Sequence, residues 1–183
     1  MKRKSTLRKT IGNIFIITSL LILLFIYYPV AMSYLLSSKV ALNTGFSIEI
    51  PKIKLVSPII KGVDATNEKE YRKALTMGIA QAKGSALPGD KGTIFLFGHS
   101  TDYPWNLTRY NTIFLRLDEL KKNDLILIEK DGKKYKYYVT DKKVVWPNEV
   151  KYIKENKDQL ILQTCTPIGT AFQRLLVFAS PVK

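Results

Sequence analysis

The sequence contains one cysteine and one histidine, and each follows an apolar run typical of a buried β-strand. Cys165 follows residues 160–164 (LILQT), and His99 follows residues 93–97 (TIFLF) after a single glycine. Residues at strand exits project from a rigid scaffold towards solvent, where reactive sites are commonly built. Arg174 opens the next apolar run (RLLVFA), so an antiparallel hairpin would place it beside Cys165. A third strand ending at His99 would complete a cluster at one rim.

These three side chains together support acyl transfer. A thiol with a pKa of about 8.5 is only a few per cent thiolate at neutral pH, and a nearby imidazolium or guanidinium favours the charged sulfur. His99 would protonate a departing amine and later deprotonate an incoming one. Arg174 offers fixed donors to a carbonyl oxygen that becomes negative during the reaction. Taken singly, each residue also has a non-catalytic interpretation: a small buried thiol, a structural histidine and a solvated arginine. Their spacing alone leaves both interpretations open.

Composition narrows the choice of protein class. An apolar fraction of 46% in 183 residues argues against a disordered chain. A single Cys excludes an intrachain disulfide and a cysteine-rich zinc site, and a single His excludes a histidine-cluster metal site. We therefore expect neither a metal nor another cofactor.

The N-terminal segment predicts a membrane anchor. Five basic residues lie in the first nine positions, and residues 10–38 contain no charge. Eighteen helical residues from Ile11 to Tyr28 would span about 27 Å, close to the thickness of a bilayer's hydrocarbon core. A cleaved signal peptide is the alternative, but the apolar run is longer than usual and no clear A-x-A site follows it.

The positive-inside rule then orients the chain in the plasma membrane as a single-pass protein with a cytoplasmic N-terminus. The predicted divisions are a cytoplasmic basic tail (1–10), a transmembrane signal-anchor helix (11–30), a spacer (31–46) and an extracytoplasmic catalytic domain (47–183). Beyond the first nine residues, 24 basic residues face 15 acidic ones. Such a domain would be drawn to anionic lipid or wall polymer. The absence of a recognisable RNA or DNA motif argues against nucleic acid.

Strand signals dominate the exported domain. An Asp-Gly pair at 131–132 between two alternating runs is the strongest hairpin signal. We predict two helices, at 67–77 and 111–122, and strands at 46–55 (with Pro51 at an edge or bulge), 58–62, 93–97, 124–130, 133–140, 160–164 and 174–179. The predicted fold class is all-β, closed or nearly closed as a barrel, with one or two short helices.

The residues around the cysteine closely resemble the active-site signature of sortases. Gln163-Thr164-Cys165-Thr166-Pro167 is followed, nine residues after the cysteine, by Arg174-Leu175-Leu176-Val177. The usual pattern is T-L-x-T-C, and Ile161 replaces its first threonine. Similar matches occur at Phe97-Gly98-His99, Ala86-Leu87-Pro88-Gly89 and Ile50-Pro51-Lys52-Ile53. The likeness extends from Ile48 to Val182.

The resemblance implies a bacterial cysteine transpeptidase built on a closed eight-stranded β-barrel. Such enzymes cleave an LPxTG-like sorting signal on an exported protein, form a thioacyl-enzyme and pass the acyl group to an amine of a cell-wall precursor or a protein lysine. By the resemblance, Cys165 would be the nucleophile, His99 the general acid/base, and Arg174 the oxyanion or substrate-positioning group.

The subclass stays open. No second hydrophobic span follows Val182, unlike in pilin-polymerising members, and no ligand cluster favours a structural calcium. The connection at 100–110 is long and aromatic-rich, and either faces substrate or packs on itself. Two other functions are kept: a thiol peptidase with water as its main acceptor, and a non-catalytic membrane-tethered binding module.

Overall fold

The computed structural model describes residues 2–35, 45–101, 110–149, 152 and 157–182. The first helix, α1, covers Lys2–Leu35, and its segment Arg8–Tyr28 has a mean hydropathy of 2.2 with no part of it buried. By length and composition this segment is able to cross a membrane. The predicted anchor at 11–30 lies within α1. The spacer was predicted at 31–46. Its first residues, 31–35, continue α1, and its last residue, Phe46, belongs to a strand. Residues 36–44 lie outside the described residues.

Eight strands form a closed barrel, as predicted. Around the barrel their order is β1-β2-β3-β4-β7-β8-β6-β5, and β5 pairs with β1 to close it. The β2/β3 and β4/β7 pairs are parallel, and the others are antiparallel. The strands are β1 Phe46–Ile50, β2 Leu55–Val63, β3 Ile79–Ala82, β4 Thr93–Phe97, β5 Leu125–Lys130, β6 Lys133–Val145, β7 Gln159–Thr166 and β8 Gln173–Pro181.

Side chains on both faces of β4 and β7 are buried, because each face has its own apolar cluster. The barrel interior takes one alternating set, with Leu96, Leu162 and Val177 among its members. The opposite set, which includes Phe97 and Ile161, packs outside the barrel beneath helix α2 (Glu68–Leu75). This explains the continuous apolar runs of the two strands.

The predicted hairpin is confirmed at Asp131-Gly132. Lys130 pairs with Lys133, so the turn between β5 and β6 has two residues. Both have positive φ, 52° for Asp131 and 77° for Gly132, as a type I′ turn requires. Helix α2 is also confirmed, and the Asn67 side chain caps it by accepting the Glu70 N–H at 3.3 Å.

The predicted helix at 111–122 is wrong. The segment consists of turns and one short 3₁₀ helix, Leu117–Glu119. Phe114, Leu117 and Leu120 are all completely buried in the barrel interior. Their spacing of three residues matches the repeat of a 3₁₀ turn better than that of an α-helix, and core packing decided between the two.

Two further local predictions need correction. Pro51 does not lie at an edge or bulge of one long strand: it opens a 3₁₀ turn, Pro51–Ile53, that joins two antiparallel strands. The fixed φ of proline suits the first position of such a turn, and Lys54, with φ of 53°, completes the reversal. Strand β3 was not predicted, because four residues are too short for an alternation signal.

A buried tyrosine predicts how stability changes at high pH. Burial inside the barrel raises the pKa of Tyr137 from 10.0 to about 12, and Tyr135 adds to the shift. Between about pH 10 and about pH 12 the unfolded chain loses a phenol proton that the folded chain keeps, so the free energy of unfolding falls as pH rises. We expect Tyr137→Phe to make this fall shallower in denaturant titrations at pH values across that window. An equal pH dependence in both proteins would contradict the assignment.

Candidate active site

The structure confirms that Cys165 and Arg174 lie side by side. They are direct cross-strand partners in the antiparallel β7/β8 pair. Arg174 is in turn paired with Val145 at the end of β6. These three residues form one row across three neighbouring strands. A cysteine and an arginine nine positions apart are thus brought into contact distance by the hairpin register.

The parallel pairing of β4 with β7 brings His99 to the same end of the sheet. Phe97 is level with Gln163, so the residue two positions after Phe97 is level with Cys165. The Gly98 N–H donates to the Gln163 carbonyl at 3.1 Å, which continues the ladder past the end of β4. The Thr164 hydroxyl donates to the Gly98 carbonyl at 2.9 Å. His99 is therefore joined to the cysteine strand through its neighbouring peptide units.

The site is built on the outer face of the barrel wall. Cys165 shares its face of β7 with Ile161, and Arg174 shares its face of β8 with Leu176, both members of the outer cluster. Continuing the alternation of β4 past Gly98 places His99 on this face too. The predicted rim cluster therefore opens sideways to solvent and does not point into the barrel interior.

The three side chains are accessible while their immediate supports are not. Cys165, His99 and Arg174 are each partly exposed, whereas Gly98 and Thr164 are buried. A partly exposed sulfur on a buried frame can meet a substrate without a rearrangement of the core. This combination suits a nucleophile better than a structural thiol.

Arg174 holds the loop that follows the cysteine. Its Nη1 donates to the carbonyls of Ala171 at 3.0 Å and Gln173 at 3.1 Å. Within the part of the chain that the structure describes, no carboxylate lies within 4.0 Å of this guanidinium. Among the described residues its positive charge is thus not neutralised by an ion pair, and the charge is available to a group that lies beside Cys165.

Two residues that hold the site in place, Phe114 and Thr101, were not predicted from the sequence to do so. Phe114 is completely buried, and its N–H donates to the His99 carbonyl at 2.9 Å. Thr101, in the predicted 100–110 connection, accepts the Gly169 N–H at 3.0 Å. Residues 102–109 of that connection lie outside the described residues. Whether the connection faces substrate or packs on itself therefore stays a prediction. Hydrogen bonds between segments far apart in the chain produce no periodic pattern in the sequence, so they could not be predicted from it.

The described ranges, 2–35, 45–101, 110–149, 152 and 157–182, contain no candidate metal site. No group of three or more His, Cys, Asp or Glu side chains there is arranged to hold a metal ion.

Comparison with known proteins points to one family. A family model described as the sortase domain matches residues 48–182. Sortase D of Bacillus subtilis (strain 168) is 30% identical over 140 residues, which are 74% of this chain and 62% of that protein. This chain therefore spans less than two thirds of that relative's length.

Solved structures give the same result. A lid mutant of sortase A from Corynebacterium diphtheriae is 36% identical with a TM-score of 0.62, covering 75% of this chain and 69% of that one. Sortase C-1 from Actinomyces oris is 32% identical with a TM-score of 0.64, covering 75% and 73%.

Gly98 is expected to tolerate no side chain. A Cβ at this position would lie 2.8 Å from Cδ2 of the buried Phe114 ring and 3.1 Å from Cγ2 of Ile113. We expect Gly98→Ala to lower the free energy of unfolding by about 1–3 kcal/mol, because overpacking displaces the ring or the strand exit. Urea unfolding of the full chain measures this. Measuring Gly98→Ala in a Phe114→Leu background tests the cause: if Gly98→Ala costs as much there as in wild type, the clash is not with this ring.

Proposed function

Because the chain belongs to the sortase family, we propose that it is a membrane-anchored cysteine transpeptidase that attaches or polymerises exported proteins at the cell surface. Its donor would be an exported protein with an LPxTG-like sorting signal, and its acceptor an amine of a cell-wall precursor or a protein lysine. The observation that carries the proposal is the row in which Cys165 and Arg174 are direct partners, with His99 two residues past the Phe97–Gln163 pair at the end of the neighbouring strand.

In the first half-reaction Cys165 attacks the scissile amide. The thiolate sulfur adds to the carbonyl carbon, and the carbonyl oxygen becomes negative. The C–N bond then breaks as the imidazolium of His99 gives its proton to the departing amine. The product is a thioester on Cys165, with neutral His99 beside it.

In the second half-reaction an amine takes the place of the leaving group. Neutral His99 removes a proton from the incoming amine as its nitrogen adds to the thioester carbonyl. The C–S bond breaks and returns the thiolate, so the thiolate and the imidazolium are both regenerated. No redox step or external proton source is needed.

Arg174 would act on the oxygen that becomes negative in both half-reactions. It stands opposite the nucleophile in register, and two of its donor interactions go to backbone carbonyls of its own loop. These bonds hold the guanidinium plane in place before substrate arrives. Preorganised donors of this kind stabilise a transition state without paying for reorientation during the reaction.

Barrel topology supports a site that faces away from the anchor. β1 starts at Phe46, which pairs with Lys130 beside the hairpin turn, whereas the Val145–Arg174 pair lies at the opposite end of β6. The chain would therefore enter the barrel at the end remote from the catalytic row. Helix α1 fits a single-pass anchor, and its basic start favours a cytoplasmic N-terminus.

Two other functions are distinguished by experiment. A thiol peptidase would form the same thioester and pass it to water. A non-catalytic binding module would bind donor peptide without turnover. Retention of Cys, His and Arg at matching positions favours an enzyme over the module.

The full chain in detergent should cleave an LPxTG-like donor peptide and join it to an added amine. We expect Cys165→Ala to abolish both products with an unchanged fold, and His99→Ala to be similarly severe. Mass spectrometry of the intact chain should detect the thioacyl adduct on wild type only. Product partition that ignores amine concentration would reject transfer in favour of hydrolysis, and an undiminished rate in Cys165→Ala would reject the enzyme.

Arg174→Lys tests the need for a planar donor. Lysine keeps the charge but offers a single point of donation, so we expect kcat/KM to fall about 100-fold or more. Arg72→Lys is the matched control, because Arg72 lies in an exposed ion pair with Glu68 on α2 and is not a member of the catalytic row. Equal rates in the two variants would remove Arg174 from the mechanism.

A further inference from the structure

Hydrogen bonds join the Cys165 segment to the His99 segment both before and after these two residues. Towards the barrel, the Gly98 N–H donates to Gln163 and the Thr164 hydroxyl donates to Gly98. Beyond the reactive level, the Gly169 N–H donates to Oγ1 of Thr101 at 3.0 Å. This last bond joins the segment after His99 to the loop after Cys165, across 68 positions of sequence.

We propose that Thr101 is a positioning residue: by accepting the Gly169 N–H it fixes the loop after Cys165 against the segment after His99 and sets the geometry of the reacting pair. The inference rests on the proposed function. Thr101 itself is neither the nucleophile nor the general acid/base.

The loop from 167 to 172 has a defined shape but, among the residues that the structure describes, few attachments to the rest of the protein. Within it, the Thr170 hydroxyl and N–H both donate to the Pro167 carbonyl, at 2.8 and 3.0 Å. Gly169 has φ of 81°, a conformation that favours glycine, and its N–H bonds outside the turn, to Thr101. Near its far end the loop is held by Arg174 through the Ala171 carbonyl.

Packing does little to hold this loop. Ile168 is 55% exposed and Phe172 is 71% exposed, so its two largest apolar side chains contribute little burial. A segment with few buried contacts takes its position from its hydrogen bonds. The Thr101 bond is therefore a main determinant of where the loop lies beside the sulfur.

Misplacement here has a direct chemical cost. The same bond touches the chain two residues after His99 and four residues after Cys165. A shift of about 1 Å between reacting groups can lower a rate by about 100-fold. The loss of one acceptor at Thr101 is thus expected to change the reaction more than the stability.

The test compares three variants of the full chain in detergent. Thr101→Val keeps the shape but removes the acceptor, and Thr101→Ser restores it. Thr140→Val is the matched control, because its hydroxyl donates to the Phe178 carbonyl on the exposed side of β6, away from the row. Three quantities are measured: amide hydrogen exchange at Gly169, kcat and KM with a donor peptide, and the pH profile of Cys165 alkylation by iodoacetamide.

We expect Thr101→Val to speed exchange at Gly169 by about tenfold or more and to lower kcat/KM by about 10- to 100-fold, mainly through kcat, with a displaced alkylation profile. Thr101→Ser should recover wild-type values, and Thr140→Val should change none of them. Unchanged exchange in Thr101→Val overturns the proposal, as does faster exchange with unchanged kcat/KM and alkylation. If wild type itself shows no turnover, the proposed function fails, and exchange with alkylation still decides the role of Thr101.

Discussion

The parallel pairing of β4 with β7 is the constraint on which the site depends. It sets Phe97 level with Gln163, and the Gly98–Gln163 hydrogen bond continues the ladder, so that the only histidine of the sequence follows β4 at the height of the only cysteine. A shift of one residue in this register would turn the cysteine side chain to the opposite face. The buried runs of both strands prevent that shift, because each face has its own apolar cluster to fill.

The end of this strand pair is held by specific small contacts. Gly98 lies too close to the Phe114 ring for any side chain, and Phe114 also donates to the His99 carbonyl. Thr164 buries its hydroxyl against the Gly98 carbonyl. The turns at 111–116, part of the segment 111–122 that was wrongly predicted as a helix, support His99 through the Phe114 N–H. These irregular turns let one ring fill the barrel interior while their backbone reaches the strand exit.

The barrel strands and the loop 167–172 position different parts of the site. The wall supplies Cys165 and Arg174 as direct partners, with their relative position set by strand register. The loop between them is attached through Thr101 at one side and Arg174 at the other. Family membership, suggested by the residues around Cys165, is confirmed by the match over residues 48–182.

The sequence alone determined the all-β class, the hairpin at Asp131-Gly132, α2 and the apolar N-terminal helix, and it predicted the Cys165–Arg174 pairing on the condition that the two apolar runs form a hairpin. All of these follow from local periodicity, turn chemistry or a short hairpin distance. Only the tertiary structure decided the level of His99, the outer face of the site, the Thr101–Gly169 bond and the turns at 111–116. Each depends on contacts between segments far apart in the chain, whose energy no local pattern records.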